Sequence, residues 1–367
     1  MRIINKIVKM IKMFKLRKKY NMSKSGSYML SSLFFKEIKS KKYPKPYIKT
    51  AHRYGFSVDD WRFLGLNKDN YKDYLSTASY FAMHPINGSY SFWIDDKLTL
   101  KYLCSGTPLQ EFMPKYYYQI DSMGRIIPLM DNEIGGGTIE SVILTLKDKK
   151  VLAIKLIAGS IGEGFIKAEY CNGIYCFNGK QMSEQEAIAR IMSLKNYLIT
   201  EYLFPHEEFE KYCSNTCNTI RYLQGKVDGN MMFLKSFVRF GTIQSKFVEN
   251  FNCGGVLCYV DSQGNYNGGY KLNFDDRSTE KINEHPDSKE LLVGAIPRWE
   301  TIVKVANLFG EVFPQLNYLG IDFVVCNDGS VKVLEINSLT SLDSLQLDGS
   351  ILKTSAGVFY KELSAKG

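Results

Sequence analysis

Apolar residues at positions 3, 4, 7, 11 and 14 recur at helical spacing, with Lys6, Lys9, Lys12 and Lys15 between them. That pattern predicts an amphipathic helix over the first twenty residues. Further on, Asp95-Asp96-Lys97-Leu98 opens a second helical stretch: either aspartate can cap it, and Leu98 and Tyr102 share a face. From 139 to 157 the chain alternates in the manner of two strands joined by the turn Lys147-Asp148-Lys149-Lys150. Ser183, with Glu186 three residues on, makes a capping box before a helical stretch that runs to Asn196. Residues 197–203 then read as a strand. Two apolar runs flank Asp328-Gly329, a strong short-range hairpin signal. Between 21 and 134 the pattern is irregular and rich in Tyr, Phe and Lys, and 36–49, with Pro44 and Pro46, reads as a basic linker or surface turn. Gly135-Gly136-Gly137 is a hinge-like break. No internal repeat or low-complexity tract interrupts the chain.

Composition narrows the class. With 45% hydrophobic and 23% charged residues, the 367-residue chain is of the folded, globular kind. Its length calls for two or three packed lobes rather than one core. No run approaches 18 apolar residues, which excludes a membrane-spanning helix. Eight cysteines in a chain of this length are not a small secreted disulfide framework, and lysines interrupt every stretch that might serve as a secretion signal. Reduced, buried thiols in a cytoplasmic protein are the expectation. Cys213 and Cys217, and the other cysteine pairs, lack the spacing of a zinc site.

The net charge of +9 is uneven. Residues 1–20 hold eight basic residues and no acid, so the rest is close to neutral and a basic groove for nucleic acid along the body is not indicated. The first twenty residues suit a helix lying on an anionic membrane surface, at the inner face of the membrane, or on a partner. The plainer alternative is a mobile tail ahead of a working protein that starts near Met22.

Three segments carry candidate chemistry. If Asp328 and Gly329 form the hairpin loop, Asp322 lies directly across from Glu335, and Asn337 points to the same face. Opposed carboxylates repel, and a hard divalent cation with oxygen ligands removes the repulsion. In the second segment Lys155 interrupts an apolar strand, which is costly unless it meets an anion. The glycine-rich stretch Gly159-Ser160-Ile161-Gly162-Glu163-Gly164 follows it and can turn backbone N–H groups toward phosphates. Its order is neither that of a dinucleotide fold nor that of a Walker A loop. In the third, polar groups including His206 and Glu208 cluster after the strand that ends at Glu201-Tyr202-Leu203. Arg221 and Arg239 are candidate clamps for phosphate or carboxylate, because the guanidinium fork donates two parallel hydrogen bonds.

Taken together in this order, these segments resemble the ATP-grasp superfamily. The chain is most similar to its sugar-transfer-associated branch, through Asn218-Thr219-Ile220-Arg221, Arg239-Phe240-Gly241, Gly254-Gly255-Val256, His285-Pro286-Asp287 and Pro297-Arg298-Trp299. The similarity spans about 95–346. It implies an α/β (α+β) fold: a basic segment over 1–21, an N-terminal lobe over 22–134, a small glycine-loop lid over 135–203 and a metal-binding lobe over 204–367. It also implies ATP and Mg2+ as cofactors. Lys97, Lys155, Gly159, Ser160, Gly162 and Gly164 would hold phosphate. Glu201, Tyr202 and Leu203 would form the adenine hinge, with His206 and Glu208 beside it. Asp322, Glu335 and Asn337 would be the metal ligands, and Arg221 and Arg239 the catalytic clamps. Asp322 departs from the glutamate that many members carry, and its shorter arm favours a water-bridged ligand. The implied reaction joins a small-molecule carboxylate, a sugar acid or amino acid, to an amine through an acyl phosphate, in capsule or surface polysaccharide biosynthesis. The rival readings are a kinase on the same site, a nucleotide-binding accessory protein tethered by residues 1–20, and a glycosyltransferase using an acidic pair such as Asp59-Asp60.

Overall fold

The computed structural model describes residues 2–40, 42–159, 162–275 and 277–366, with 2–9 and 365–366 described by their backbone alone. Among these residues the strands form two antiparallel sheets. The first sheet comprises β1 (Tyr116–Ile120), β2 (Ile126–Pro128), β3 (Val151–Leu156), β4 (Ile166–Cys171), β5 (Ile174–Phe177), β6 (Lys180–Met182) and β7 (Tyr197–Glu201), in the order β2-β1-β7-β3-β4-β5-β6. The expected boundary at residue 134 falls between strands of one sheet: β1 pairs with β7, so residues 116–128 belong to the first sheet.

Helices Ile139–Lys149 and Glu184–Met192 close one face of this sheet through Val142, Ile143, Leu146, Ala187 and Ile191. The first of these helices corrects the expected pair of strands. Thr138 and Ser141 form a reciprocal capping box, Val142, Ile143 and Leu146 repeat at helical spacing, and Lys150 ends the helix at φ 67°. Only 151–156 of that stretch is extended. There Leu152 and Ile154 face the core, while Ala153 and Lys155 face the opposite side.

The second sheet comprises β8 (Ile220–Val227), β9 (Asn230–Phe240), β10 (Val256–Val260), β11 (Asn265–Asn267), β12 (Gly269–Leu272), β13 (Thr279–Ile282), β14 (Val293–Ala295), β15 (Tyr318–Val325) and β16 (Val331–Asn337). Its main path runs β13-β12-β10-β9-β8-β15-β16. Helix Trp299–Val312 buries Ile302, Val305 and Phe309 on one face, against Ile321 and Phe323. The other face packs on residues from 63–80 and 342–360.

The irregular N-terminal third is helical. The expected linker at 36–49 contains the end of helix Lys24–Lys39, capped by Ser23, and most of helix Lys45–Arg53, with Pro44 at its N-cap. None of the eight cysteines is in a disulfide, and only Cys104, Cys258 and Cys326 are buried. Among the described residues, no helix is long and apolar enough to cross a membrane.

Candidate active site

A cleft lies between the two sheets, lined from one side by β3 and β7 and from the other by β9, β15 and β16.

The β15–β16 hairpin sets the floor. The expected two-residue turn is a three-residue loop: Cys326 N–H donates to Ser330 O, and Gly329 alone of the loop takes positive φ. Left uncorrected, that extra residue would slip the register by one and turn Glu335 away from Asp322. A bulge at Leu334 restores it, because Val333 pairs with Phe323 while Glu335 pairs with Asp322. The expected pairing therefore holds through two departures that cancel, and Leu334 and Glu335 both line the cleft. Two-residue Asx-Gly turns do occur elsewhere, at Asn172-Gly173, Asn178-Gly179 and Asp228-Gly229.

β8 brings Arg221 opposite Asp322. The Arg221 Nε and Nη2 donate to the two oxygens of Asp322, the second at 2.7 Å. Arg239, from β9, adds Nη2 at 3.0 Å to Asp322 Oδ2, and also donates to Thr219 Oγ1 at 2.5 Å. Asp322 is 1% exposed. Glu335 pairs instead with Lys97, whose Nζ lies 2.9 Å from Oε2 and donates at 3.3 Å to the carbonyl of Gly159. Burial opposes the Glu335 charge, but Lys97, with Arg221 and Arg239 further off, pulls its pKa down to about 2. The protein's own cations thus relieve the carboxylate repulsion from which a metal was inferred.

Lys97 is the first residue of helix Lys97–Cys104, capped by Asp96, which accepts from Thr99 N at 2.7 Å. Asp95 accepts from Ser338 N at 2.8 Å and Ser338 Oγ at 2.7 Å, just beyond Asn337. The Asp95-Asp96-Lys97 triplet therefore staples this helix to the end of β16. Sequence reasoning missed the part of Asp95, since its partner is 243 residues away.

On the opposite wall, Lys155 is buried and has no carboxylate partner among the described residues; its Nζ lies 5.5 Å over the ring of Tyr116. Burial, and then Lys97, lower its pKa to about 8. Gly159 and Gly162 line the cleft, and Val248 packs where a Cβ on Gly162 would sit. Gly164, at φ 71°, is crowded by the Tyr197 hydroxyl. Ser160 lies outside the described residues.

Glu201, Tyr202 and Leu203 line the cleft, while the Glu201 carboxylate accepts from Lys115 N at 2.8 Å. His206 and Glu208 do not join them. His206 caps helix Glu207–Glu210 through Nδ1, and Glu208 is exposed and pairs with Lys211 at 3.0 Å. Arg221 lies behind Asp322, whereas Arg239 lines the cleft. The 247–250 loop, unanticipated from sequence, adds Glu249, which accepts from Thr219 Oγ1 at 2.8 Å; burial raises its pKa, against the pull of Arg239.

Among the described residues no three His, Cys, Asp or Glu side chains converge as a metal site. A cation here would rest on Glu335, Asp322 and the Asn337 amide, whose Nδ2 lies 3.4 Å from Glu335 Oε1. This is an all-oxygen set with an ionised carboxylate at the cleft, and it suits a hard divalent cation. Asp322 is the more committed donor, because both its oxygens already accept from arginine.

Two antiparallel sheets closing on a lysine- and carboxylate-lined cleft make this an ATP-grasp fold. Residues 80–357 match the family described as sugar-transfer associated ATP-grasp, and the chain belongs to that family. Among solved structures it is similar to D-alanyl-alanine synthetase A from Vibrio cholerae O1 biovar eltor, at 10% identity over 76% of this chain and 66% of that one, TM-score 0.44. It is also similar to the ATP-grasp ligase PsnB complexed with minimal precursor (13%, 77% and 63%, TM-score 0.38) and to L-amino acid ligase from Bacillus licheniformis (9%, 67% and 41%, TM-score 0.35). The chain spans less than two thirds of the length of most of these proteins. No curated protein matches the sequence.

Proposed function

We propose that this protein is a MgATP-dependent ligase that joins a carboxylate to an amine, acting at the cytoplasmic face of a membrane in capsule or surface polysaccharide assembly. The observation that carries the reading is the convergence of Lys97, Lys155 and Arg239 on one cleft whose floor holds Asp322 and Glu335. The polymer assignment rests on the family's association with sugar transfer.

Lys155, without a carboxylate partner, is placed to take an ATP phosphate, and phosphate would restore the charge that burial opposes. Lys97 would exchange its contact with Glu335 for phosphate as the nucleotide enters. Glu335, Asn337 and Asp322 would hold Mg2+, which supplies neutralisation of phosphate charge. Arg239 is the guanidinium at the cleft wall and would orient the substrate carboxylate. Arg221 acts through Asp322 as a positioning residue.

In the proposed reaction a carboxylate oxygen forms a bond to the γ-phosphorus as the bond to the β-phosphate bridging oxygen breaks, releasing ADP. The amine nitrogen then attacks the acyl carbon, loses a proton, and phosphate departs with the original carboxylate oxygen. Preorganised cations stabilise the charge that builds on the transferring group. Isotope transfer tests the scheme: with an 18O-labelled carboxylate, one labelled oxygen should enter inorganic phosphate for each amide formed, with ADP as the nucleotide product. Phosphate retained on the product would establish a kinase instead. AMP with pyrophosphate would eliminate both.

A further inference from the structure

Residues 1–53 contain sixteen Lys and Arg against a single acid, Glu37, while the whole chain is +9, so the remaining residues are net negative. Glu37 does not dilute this charge at the surface. Its Oε2 lies 2.6 Å from His52 Nε2, its Oε1 accepts from Val58 N at 2.9 Å, and its side chain is 13% exposed.

Helix Arg2–Tyr20 rests on helix Lys24–Lys39 by way of Leu16 and Tyr20, which pack with Met22, Leu30 and Phe34. Its outer side is apolar: Met10, Ile11 and Phe14 are 57%, 52% and 69% exposed. At the helical turn these three fall within an arc of about 100°. By the same register Arg17 and Lys15 border that arc on either side, and Lys18 continues it one turn on; all three are exposed.

We propose that this face seats on an anionic lipid surface, with Met10, Ile11 and Phe14 entering the acyl-chain boundary and Lys15, Arg17 and Lys18 meeting phosphate headgroups. An amphipathic helix with basic flanks binds membranes through buried apolar area and attraction to anionic lipid together. A nucleic acid would satisfy the lysines but leave three large apolar side chains in water. A second copy of the chain would bring two strongly basic faces together. The surface lies outside residues 80–357 and outside the cleft, so it extends the membrane placement proposed above without depending on the chemistry of the site.

Sedimentation of the full chain with vesicles tests it. Binding is expected to vesicles containing about 30% phosphatidylglycerol, not to pure phosphatidylcholine, and to fall steeply between about 0.1 and 0.5 M salt as the attraction is screened. Phe14→Glu and the triple variant K15E/R17E/K18E should each weaken binding at least about tenfold. Because these side chains are exposed, both variants should keep the wild-type melting temperature and MgATP affinity. Equal binding to both vesicle types, wild-type binding by Phe14→Glu, binding to duplex DNA but not to vesicles, or a dimer that Phe14→Glu converts to monomer without lipid would each overturn the proposal. MgATP binding measured on the same proteins tests the ligase reading separately.

Discussion

On the floor of the cleft, the second sheet sets Asp322 against Arg221 and Arg239, while Glu335 meets Lys97 from the adjoining helix. Across from it, the first sheet holds Lys155 over an aromatic ring with no ion-pair partner among the described residues, Glu335 and Glu201 acting on it only at longer range. The carboxylates of the floor are each paired within the protein. The wall formed by the first sheet carries a buried lysine without an ion-pair partner, and perturbed charges in a cleft gather at functional sites. One wall is therefore expected to report chiefly on folding and the other chiefly on binding.

The hardest test of that division is Asp322→Ala. It strands the buried Arg221 guanidinium, removes one partner of Arg239, and should destabilise the fold by about 3–5 kcal/mol, the usual scale for breaking a buried ion pair from one side. Urea denaturation measures it, and a loss under about 1 kcal/mol would mean that the floor is not preassembled. Glu335→Gln keeps the shape but removes a charge that reaches the cleft. Turnover of ATP should fall by about a hundredfold or more, and the melting temperature should fall as well, because the buried Lys97 loses its ionised partner. Near-normal turnover at saturating magnesium would remove Glu335 from the site.

Lys155→Met should do the reverse of Asp322→Ala. It should leave thermal stability unchanged or higher and weaken MgATP binding by about tenfold, as loss of one charge-assisted contact does. If the variant unfolds while nucleotide affinity persists, the lysine is structural. The two walls should also respond to pH in separate windows, with stability rising with pH in each. Glu335, with its pKa lowered to about 2 from an ordinary 4.5, stabilises the fold fully above 4.5, and that contribution is lost as pH falls through 2. Lys155, lowered to about 8 from 10.5, leaves the unfolded chain with more bound protons between those values, so its burial penalty fades as pH rises across that window. MgATP binding at about pH 9 should then take up a proton, visible by calorimetry in buffers of different ionisation enthalpy and absent in Lys155→Met.

The smallest effect is expected from Glu208→Gln. Its carboxylate is exposed and paired with Lys211 away from the cleft, so MgATP affinity should stay within about twofold of wild type. A larger loss would bring the segment after β7 back into the nucleotide site.

Much of the site was legible because the chemistry lies on short, regular segments. Strand alternation set Lys155 apart from Leu152 and Ile154, and the capping box at Ser183 announced its helix. Other features were open to local reading and were misread or passed over. Thr138-x-x-Ser141 marked a helix where alternation suggested strands, and Asn172-Gly173 and Asn178-Gly179, not singled out from the sequence, mark two hairpins of the first sheet. Glu249 gave no signal, because an acid in a loop looks the same in sequence whether it faces water or a cleft.

The amino-acid sequence by itself determined the elements whose cause is local: a basic amphipathic N-terminus, a lysine on an otherwise apolar strand, and two carboxylates facing each other across a hairpin. Tertiary structure alone decided that Arg221 would neutralise Asp322 from 101 residues away, that Asp95 would be tied to Ser338, and that β1 and β2 would join the first sheet. It also supplied the bulge at Leu334 that keeps Glu335 turned to the cleft despite the longer loop. The physical reason is the range of the forces concerned. Helical and strand periodicity act between neighbours along the chain, whereas the pairing of buried charges and the register of a bulged sheet depend on partners that only folding brings within reach.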